Sequence, residues 1–218
     1  MEVKRYSTKQ KAREAAAQKL NQLLDAYSRV PTLFLSSGGS SLELLDGLEI
    51  GKNVTVSVLD ERYSTDPTVN NFAQLFERIR PKAFIDARIG QNETIQQLAE
   101  RFKRELREWK AKNPNGKIII TQGMGPDGHT AGIMPGVAFD GDRWVAEYDA
   151  KEKNEFPLRV TTTFSFLRDQ VDYSIAYITG EKKRDAFEQL LADQGTLAAT
   201  PARIMREMKN VKIFTDIV

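Results

Sequence analysis

Asp127 and His129 stand two positions apart in the stretch Gly123-Met124-Gly125-Pro126-Asp127-Gly128-His129-Thr130-Ala131, and His129 is the only histidine in 218 residues. An imidazole titrates near neutral pH, so it is the side chain best suited to take a proton from water and return it. A carboxylate two residues earlier can orient either the imidazole or the loop, and spacing alone leaves both open. The stretch follows Lys117-Ile118-Ile119-Ile120, a β-branched run that reads as a buried parallel strand. Three glycines and a proline then force a tight, irregular path. An open α/β sheet holds its ligands at the carboxyl ends of its strands, where this loop would lie.

Gly123, Gly125 and Gly128 also spell the dinucleotide fingerprint G-x-G-x-x-G, and Glu147 and Asp149 lie at a suitable distance for a ribose partner. Two physical grounds count against that reading. Asp127 would place a negative charge inside a turn meant for a pyrophosphate. Pro135-Gly136 would stop any helix about two turns after Gly128, too soon for a crossover helix.

Four further stretches carry residues able to hold an anion. Ser36-Ser37-Gly38-Gly39-Ser40-Ser41 follows the apolar run Thr32–Leu35 and precedes a short helix expected over 42–48. A strand, a glycine turn and a helix start make an anion site, with free amides from the helix and donors from Ser40 and Ser41; a flexible polar turn is the plainer reading. No Gly-Lys-Ser/Thr follows, so this is not a Walker loop. Asp60-Glu61-Arg62 ends the alternating run 54–59, either as a solvated strand end or as a functional cluster. Arg159, in an alternating strand over 156–163, is an edge charge or an inward polar contact. Lys183 opens a helix expected to reach Ala192, and a lysine there opposes the macrodipole unless a ligand anion offsets it; plain surface charge is the alternative.

Composition narrows the function classes. Hydrophobic residues make up 40% and charged residues 28%, ordinary for a globular protein. The formal charge of +2 implies no general affinity for nucleic acid or acidic membranes. There is no cysteine, so disulfides, thiolate nucleophiles and cysteine metal sites are excluded, and a single histidine excludes a histidine-rich metal site. No apolar run reaches membrane-spanning length, and Met1–Arg5 lead into a charged amphipathic segment rather than an apolar signal region. A cytoplasmic chain forming one domain over 1–218 is the expectation.

The elements that must position these residues follow from periodicity. Ser7 and Gln10 have capping-box spacing before a helix whose face is Ala16, Leu20, Leu23, Leu24 and Tyr27. A third helix is expected over 69–79, and residues 80–91 read as loop. Asn92 is the expected cap of a long helix with the stripe Ile95, Leu98, Ala99, Phe102, Leu106 and Trp109. Residues 144–148 alternate as a strand, residues 151–155 read as a charged loop, and 173–178 as a buried strand. A last helix is expected over 202–208 and a closing strand over 211–215. Strands alternate with helices throughout, so the fold class is α/β, a Rossmann-like, doubly wound, mostly parallel sheet with helices on both faces.

The loop Gly123-Met124-Gly125-Pro126-Asp127-Gly128-His129-Thr130-Ala131 resembles the signature of the 6-phosphogluconolactonases and their relatives, the glucosamine-6-phosphate deaminases. Gly38–Ser41 resembles the family's phosphate loop S-G-G-S-T-P, with Ser41 and Leu42 replacing Thr and Pro. Asp60-Glu61-Arg62 matches the D-E-R of the lactonases, where the deaminases carry D-E-Y or similar. Asn70-Asn71 resembles the family's S-N. Arg159 to Thr163 resembles R-I-T-L-T, and Gly180 to Lys183 resembles G-x-x-K. The resemblance covers nearly the whole chain, in family order. It implies hydrolysis of a phosphorylated sugar δ-lactone, with His129 activating water and Asp127 beside it. It implies a phosphate held by Gly38, Gly39, Ser40 and Ser41 with Arg62, Lys183 and Arg159, and Asp60 left to orient Arg62 or the loops. No metal or organic cofactor is implied, no nucleic-acid or membrane partner, and a monomer or weak homodimer. A deaminase-like enzyme and a non-catalytic sugar-phosphate-binding domain are the alternatives. The deaminases carry a glutamate seven residues after the loop aspartate, in D-G-H-x-A-F-N-E-P-G; here that position is Met134.

Overall fold

The computed structural model describes residues 1–139, 141–151 and 155–218; residues 152–154 of the expected charged loop lie outside them. Its strands are β1 (Glu2–Arg5), β2 (Thr32–Ser36), β3 (Val54–Val58), β4 (Asp60–Arg62), β5 (Ala83–Phe84), β6 (Lys117–Gln122), β7 (Val145–Asp149), β8 (Leu158–Thr162), β9 (Tyr173–Ile178) and β10 (Asn210–Thr215). Its α-helices are α1 (Lys9–Ala26), α2 (Asn71–Arg78), α3 (Ile95–Lys112), α4 (Phe164–Asp169) and α5 (Arg184–Leu191).

Seven strands form one parallel sheet in the order β1-β10-β9-β6-β2-β3-β5. Setting β1 aside, chain order read from β5 is third, second, first, fourth, fifth, sixth, the doubly wound arrangement. The order reverses between β2 and β6, so right-handed crossovers put the helices of the two halves on opposite faces. The crevice at that reversal is where such sheets bind ligands. The strands flanking it are fully buried: Leu33, Phe34 and Leu35 on β2, Ile118, Ile119 and Ile120 on β6. Burial on both faces is why they read as continuous apolar runs.

The helices pack by their apolar stripes. Ala12, Ala16, Leu20, Leu23 and Leu24 of α1 are buried, and the helix lies on β9 and β10. Leu98, Ala99, Phe102, Leu106 and Trp109 of α3 are buried, and the Trp109 indole donates to the Thr55 hydroxyl at 3.1 Å. Truncating such a side chain to alanine costs about 2–5 kcal/mol. No helix among the described residues is long and apolar enough to cross a membrane.

Several local expectations are corrected. The α1 cap is Thr8, whose hydroxyl accepts from the Lys11 amide, rather than Ser7. The α3 cap is Thr94, in a capping box with Gln97; Asn92 sits two residues outside in a left-handed conformation, φ 56°. The expected helices over 42–48 and 202–208 are 3-10 segments at Gly39–Leu45 and Pro201–Arg206. A three-stranded antiparallel sheet, β4-β8-β7, stands beside the main one. It carries Asp60, Arg62 and Arg159, so it becomes one wall of the site.

Candidate active site

The crevice at the strand-order reversal is a cleft of about 330 Å3. Gly38, Gly39, Ser40, Asp60, Arg62, His129, Arg159 and Lys183 all line it, so residues spread over 145 positions of sequence converge on one space.

The floor is tied across the reversal. The Thr121 hydroxyl donates to the Ser36 hydroxyl at 2.9 Å, and the Ser37 amide donates to the Thr121 carbonyl at 2.9 Å. Beyond Ser37 the chain turns through Gly39 at φ 63°, a conformation glycine adopts freely. At Gly38 space is what matters: a Cβ there would meet the Asn71 Oδ1 at 2.1 Å. Ser41 is fully buried behind the loop, and no side chain or backbone group partners its hydroxyl among the described residues.

After β6 no helix follows, which removes the dinucleotide reading: residues 123–139 form turns and loop. The Gly125 amide donates to the His129 carbonyl at 2.9 Å and the Gly128 amide to the Gly125 carbonyl at 3.1 Å. Asp127 Oδ1 accepts from the His129 amide at 3.1 Å and lies 2.6 Å from His129 Nδ1. The carboxylate therefore contacts both the loop backbone and the ring. The hydrogen bond from the imidazole holds the Asp127 carboxyl below the usual carboxylate range, against the opposing effect of burial. An ionised Asp127 favours a proton on Nδ1, and Nε2 is the ring nitrogen without that contact.

Alternation along β4 sends Asp60 and Arg62 to one face and Glu61 to the other. Asp60 and Arg159 form a buried pair, Oδ2 to Nη1 at 3.4 Å, with both side chains about 5–6% exposed. Arg62 stands directly opposite Arg159 across the β4–β8 ladder, and like charges so placed destabilise a sheet. Arg62 is steadied by donating from Nη1 to the Val69 carbonyl at 2.7 Å. Lys183 reaches the cleft from the 3-10 turn Glu181–Lys183 after β9. Its ammonium has neither ion pair nor hydrogen bond among the described residues. Burial lowers its pKa, the neighbouring Lys9 adds to that, and Glu43 and Asp216 oppose it.

Sequence reasoning missed Asn71 as a cleft residue. Its Nδ2 donates to the Asp60 carbonyl at 2.9 Å and to Asp60 Oδ2 at 3.3 Å, so it holds Asp60 beside Arg159. It also missed Glu61, which is fully buried and accepts from the amides of Arg62, Asn71 and Phe72 at 2.7–2.8 Å. Glu61 thereby pins Arg62 and the start of α2 together. Burial pushes its carboxyl from 4.5 up to about 7, with the three amides pulling the other way. The folded chain therefore holds a proton there that the unfolded chain has released, and stability falls as pH rises between about 4.5 and 7. Urea midpoints at about pH 5 and pH 7.5 should show that decline in wild type and a shallower one in Glu61→Gln, which is also less stable throughout. An unchanged slope in the variant would count against a raised Glu61.

Known proteins share this fold. The 6-phosphogluconolactonase of Thermotoga maritima is 27% identical over 184 residues, covering 80% of this chain and 80% of its own. The structure of 6-phosphogluconolactonase from Trypanosoma brucei superposes with a TM-score of 0.79 at 22% identity, covering 99% of this chain and 97% of that one. A monomeric glucosamine-6-phosphate deaminase superposes with a TM-score of 0.76 at 18% identity, covering 99% and 97%, so overall shape does not separate the two activities. The family model described as glucosamine-6-phosphate isomerases/6-phosphogluconolactonase matches residues 5–214. Fold, loop signature and this match agree, and the chain belongs to that family.

Proposed function

We propose that the chain hydrolyses 6-phospho-D-glucono-1,5-lactone to 6-phosphogluconate, the lactone step of the oxidative pentose phosphate pathway. The observation that carries this reading is the imidazole of His129, tied through Nδ1 to Asp127 and sharing a cleft with Arg62, Arg159 and the unpaired Lys183. Water attacks the lactone carbonyl as Nε2 takes its proton. The tetrahedral intermediate then breaks its ring C–O bond, and the imidazolium returns the proton to the leaving alkoxide. The carbonyl carbon becomes a carboxylic acid, which releases its remaining proton to solvent as the carboxylate. No nucleophilic side chain and no metal or organic cofactor enters these steps.

The phosphate fits the other end of the cleft. Gly38, Gly39 and Ser40 offer close backbone approach and a hydroxyl, and Lys183 and Arg62 supply charge. A dianion there would relieve the Arg62–Arg159 opposition and give Lys183 its missing partner. The position seven after Asp127 is Met134, which lines the same cleft. A thioether carries no proton at neutral pH, so the relay that opens an amino-sugar ring in the deaminases lacks a member.

Hydrolysis of freshly made 6-phosphogluconolactone at controlled pH, with the spontaneous rate subtracted, tests the reading. Acceleration of lactone hydrolysis with no ammonia release from glucosamine 6-phosphate is expected. Ammonia formed at an enzymatic rate would overturn the assignment in favour of a deaminase, and tight sugar-phosphate binding with no turnover in favour of a binding domain. The phosphate contacts have their own test. Arg62→Ala and Lys183→Ala each remove a charge-assisted contact of roughly 1.5–3 kcal/mol, so KM should rise roughly tenfold or more while kcat holds. A lactone without phosphate should be poor for wild type and little changed by either substitution. Equal losses on both substrates would remove these residues from phosphate binding.

A further inference from the structure

We propose that Tyr148 is a positioning residue for His129, acting through the Gly132 carbonyl on the left-handed turn that follows the imidazole. The inference rests on the lactonase reading above. Thr130–Ile133 is a two-residue hairpin turn: the Ile133 amide donates to the Thr130 carbonyl at 2.8 Å, and the Thr130 amide to the Ile133 carbonyl at 3.4 Å. Ala131 and Gly132, its central pair, have φ of 47° and 67°. Both angles belong to the left-handed region, which alanine resists and glycine accepts. A non-glycine residue stays there only when its surroundings hold it.

The holding comes from the small sheet. The Thr161 hydroxyl on β8 donates to the Ala131 carbonyl, and the Tyr148 hydroxyl on β7 donates to the Gly132 carbonyl. Both carbonyls of the turn are therefore pinned from one side. Gly132 is pressed against the Asp60 carboxylate, where a Cβ would fall 2.5 Å from Oδ2. Tyr148 is fixed in turn by Phe139, whose ring meets it edge-on at 5.8 Å. Burial pushes its phenol up to about 12, so the hydroxyl remains a donor at neutral pH. The phenol also meets the Met134 backbone just beyond the turn, and Ala131, Gly132 and Met134 line the cleft while Tyr148 does not, so Tyr148 bears on the cleft through the turn and the residue that follows it.

The consequence for chemistry is relative placement. His129 sits on a loop of the main sheet, whereas Arg62 and Arg159 sit on the small sheet. The pinned turn is a direct link between the two, beginning one residue after His129. Losing one pin lets Ala131 relax from its left-handed conformation and carries the imidazole away from a substrate held by the small sheet.

The test uses the full chain and the phosphorylated lactone. Tyr148→Phe keeps the ring and removes the hydroxyl, and kcat should fall about tenfold with KM within about twofold of wild type. Adding Ala131→Gly should bring kcat back to within about threefold of wild type, because glycine takes the left-handed angle without support. Thr161→Val, which removes the companion bond, should lose kcat in the same way and be repaired in the same way. Tyr27→Phe gives up a phenol bond to Tyr173 of 2.6 Å far from the cleft, and should keep wild-type kcat. Full kcat in Tyr148→Phe overturns the inference, whatever Thr161→Val does. So does a loss that falls on KM, or one that Ala131→Gly leaves unrepaired. A wild-type chain that does not accelerate lactone hydrolysis overturns the lactonase reading and this inference with it; an active wild type with an indifferent Tyr148→Phe overturns this inference alone.

Discussion

His129→Asn should lower kcat on the phosphorylated lactone by roughly 10²–10⁴-fold, the usual worth of a general base. Asparagine approximates the shape of the imidazole and can still hydrogen-bond Asp127, but its amide takes no proton at neutral pH. The attacking water must then surrender its proton to bulk solvent. KM should change little, because Gly39, Ser40, Arg62 and Lys183, the residues proposed to hold the anion, lie on other elements of the cleft. Near-normal turnover in His129→Asn would take the imidazole out of the mechanism.

How much of this was legible in the chain depends on what kind of force fixes each part. The central strands were readable because burial on both faces demands continuous apolar runs, as in Ile118–Ile120. Strand β1 was not, because Glu2–Arg5 is a half-exposed edge strand whose charges guard against further pairing. Helix caps were misplaced by a residue or two where several cap-competent residues stand in a row. Ser7 precedes Thr8 and Asn92 precedes Thr94, and only the local backbone path chooses between them. The small sheet was invisible for a different reason: its pairing joins Asp60 to Thr161, about a hundred positions apart, and no local pattern encodes that. The charged and glycine-rich residues of the cleft could be singled out because strand ends seldom need such residues for packing, and the resemblance to a known family was what joined them into one expected site. Their second layer was missed. Glu61 resembled any strand-end acid, and nothing in the sequence around Tyr148 says that its hydroxyl reaches the Gly132 carbonyl.

Gly125→Ala should cost about 10²-fold in kcat although glycine has no part in the chemistry. Gly125 is not in the left-handed region, so alanine meets no conformational penalty there. The obstacle is space. A Cβ at this position would lie 2.1 Å from His129 Nδ1, 2.2 Å from its Cε1 and 2.6 Å from Asp127 Oδ1. Ordinary contact is 3.4–4 Å, so the imidazole, its carboxylate or the Gly125–His129 backbone bond must give way. Misplacement by about 1 Å is enough for a hundredfold loss when a reacting group must be aligned. Gly136 supplies the contrasting case. Its φ is 85° and nothing lies within 4 Å of an added Cβ. Gly136→Ala should therefore cost about 1 kcal/mol of stability, the penalty for a left-handed alanine, and leave kcat alone. Thermal melts and lactone kinetics on the two variants separate the cases: a large kcat loss for Gly125→Ala beside a mainly thermal effect for Gly136→Ala is expected. Full activity in a folded Gly125→Ala would mean that the imidazole position set by this loop is not the one the reaction uses.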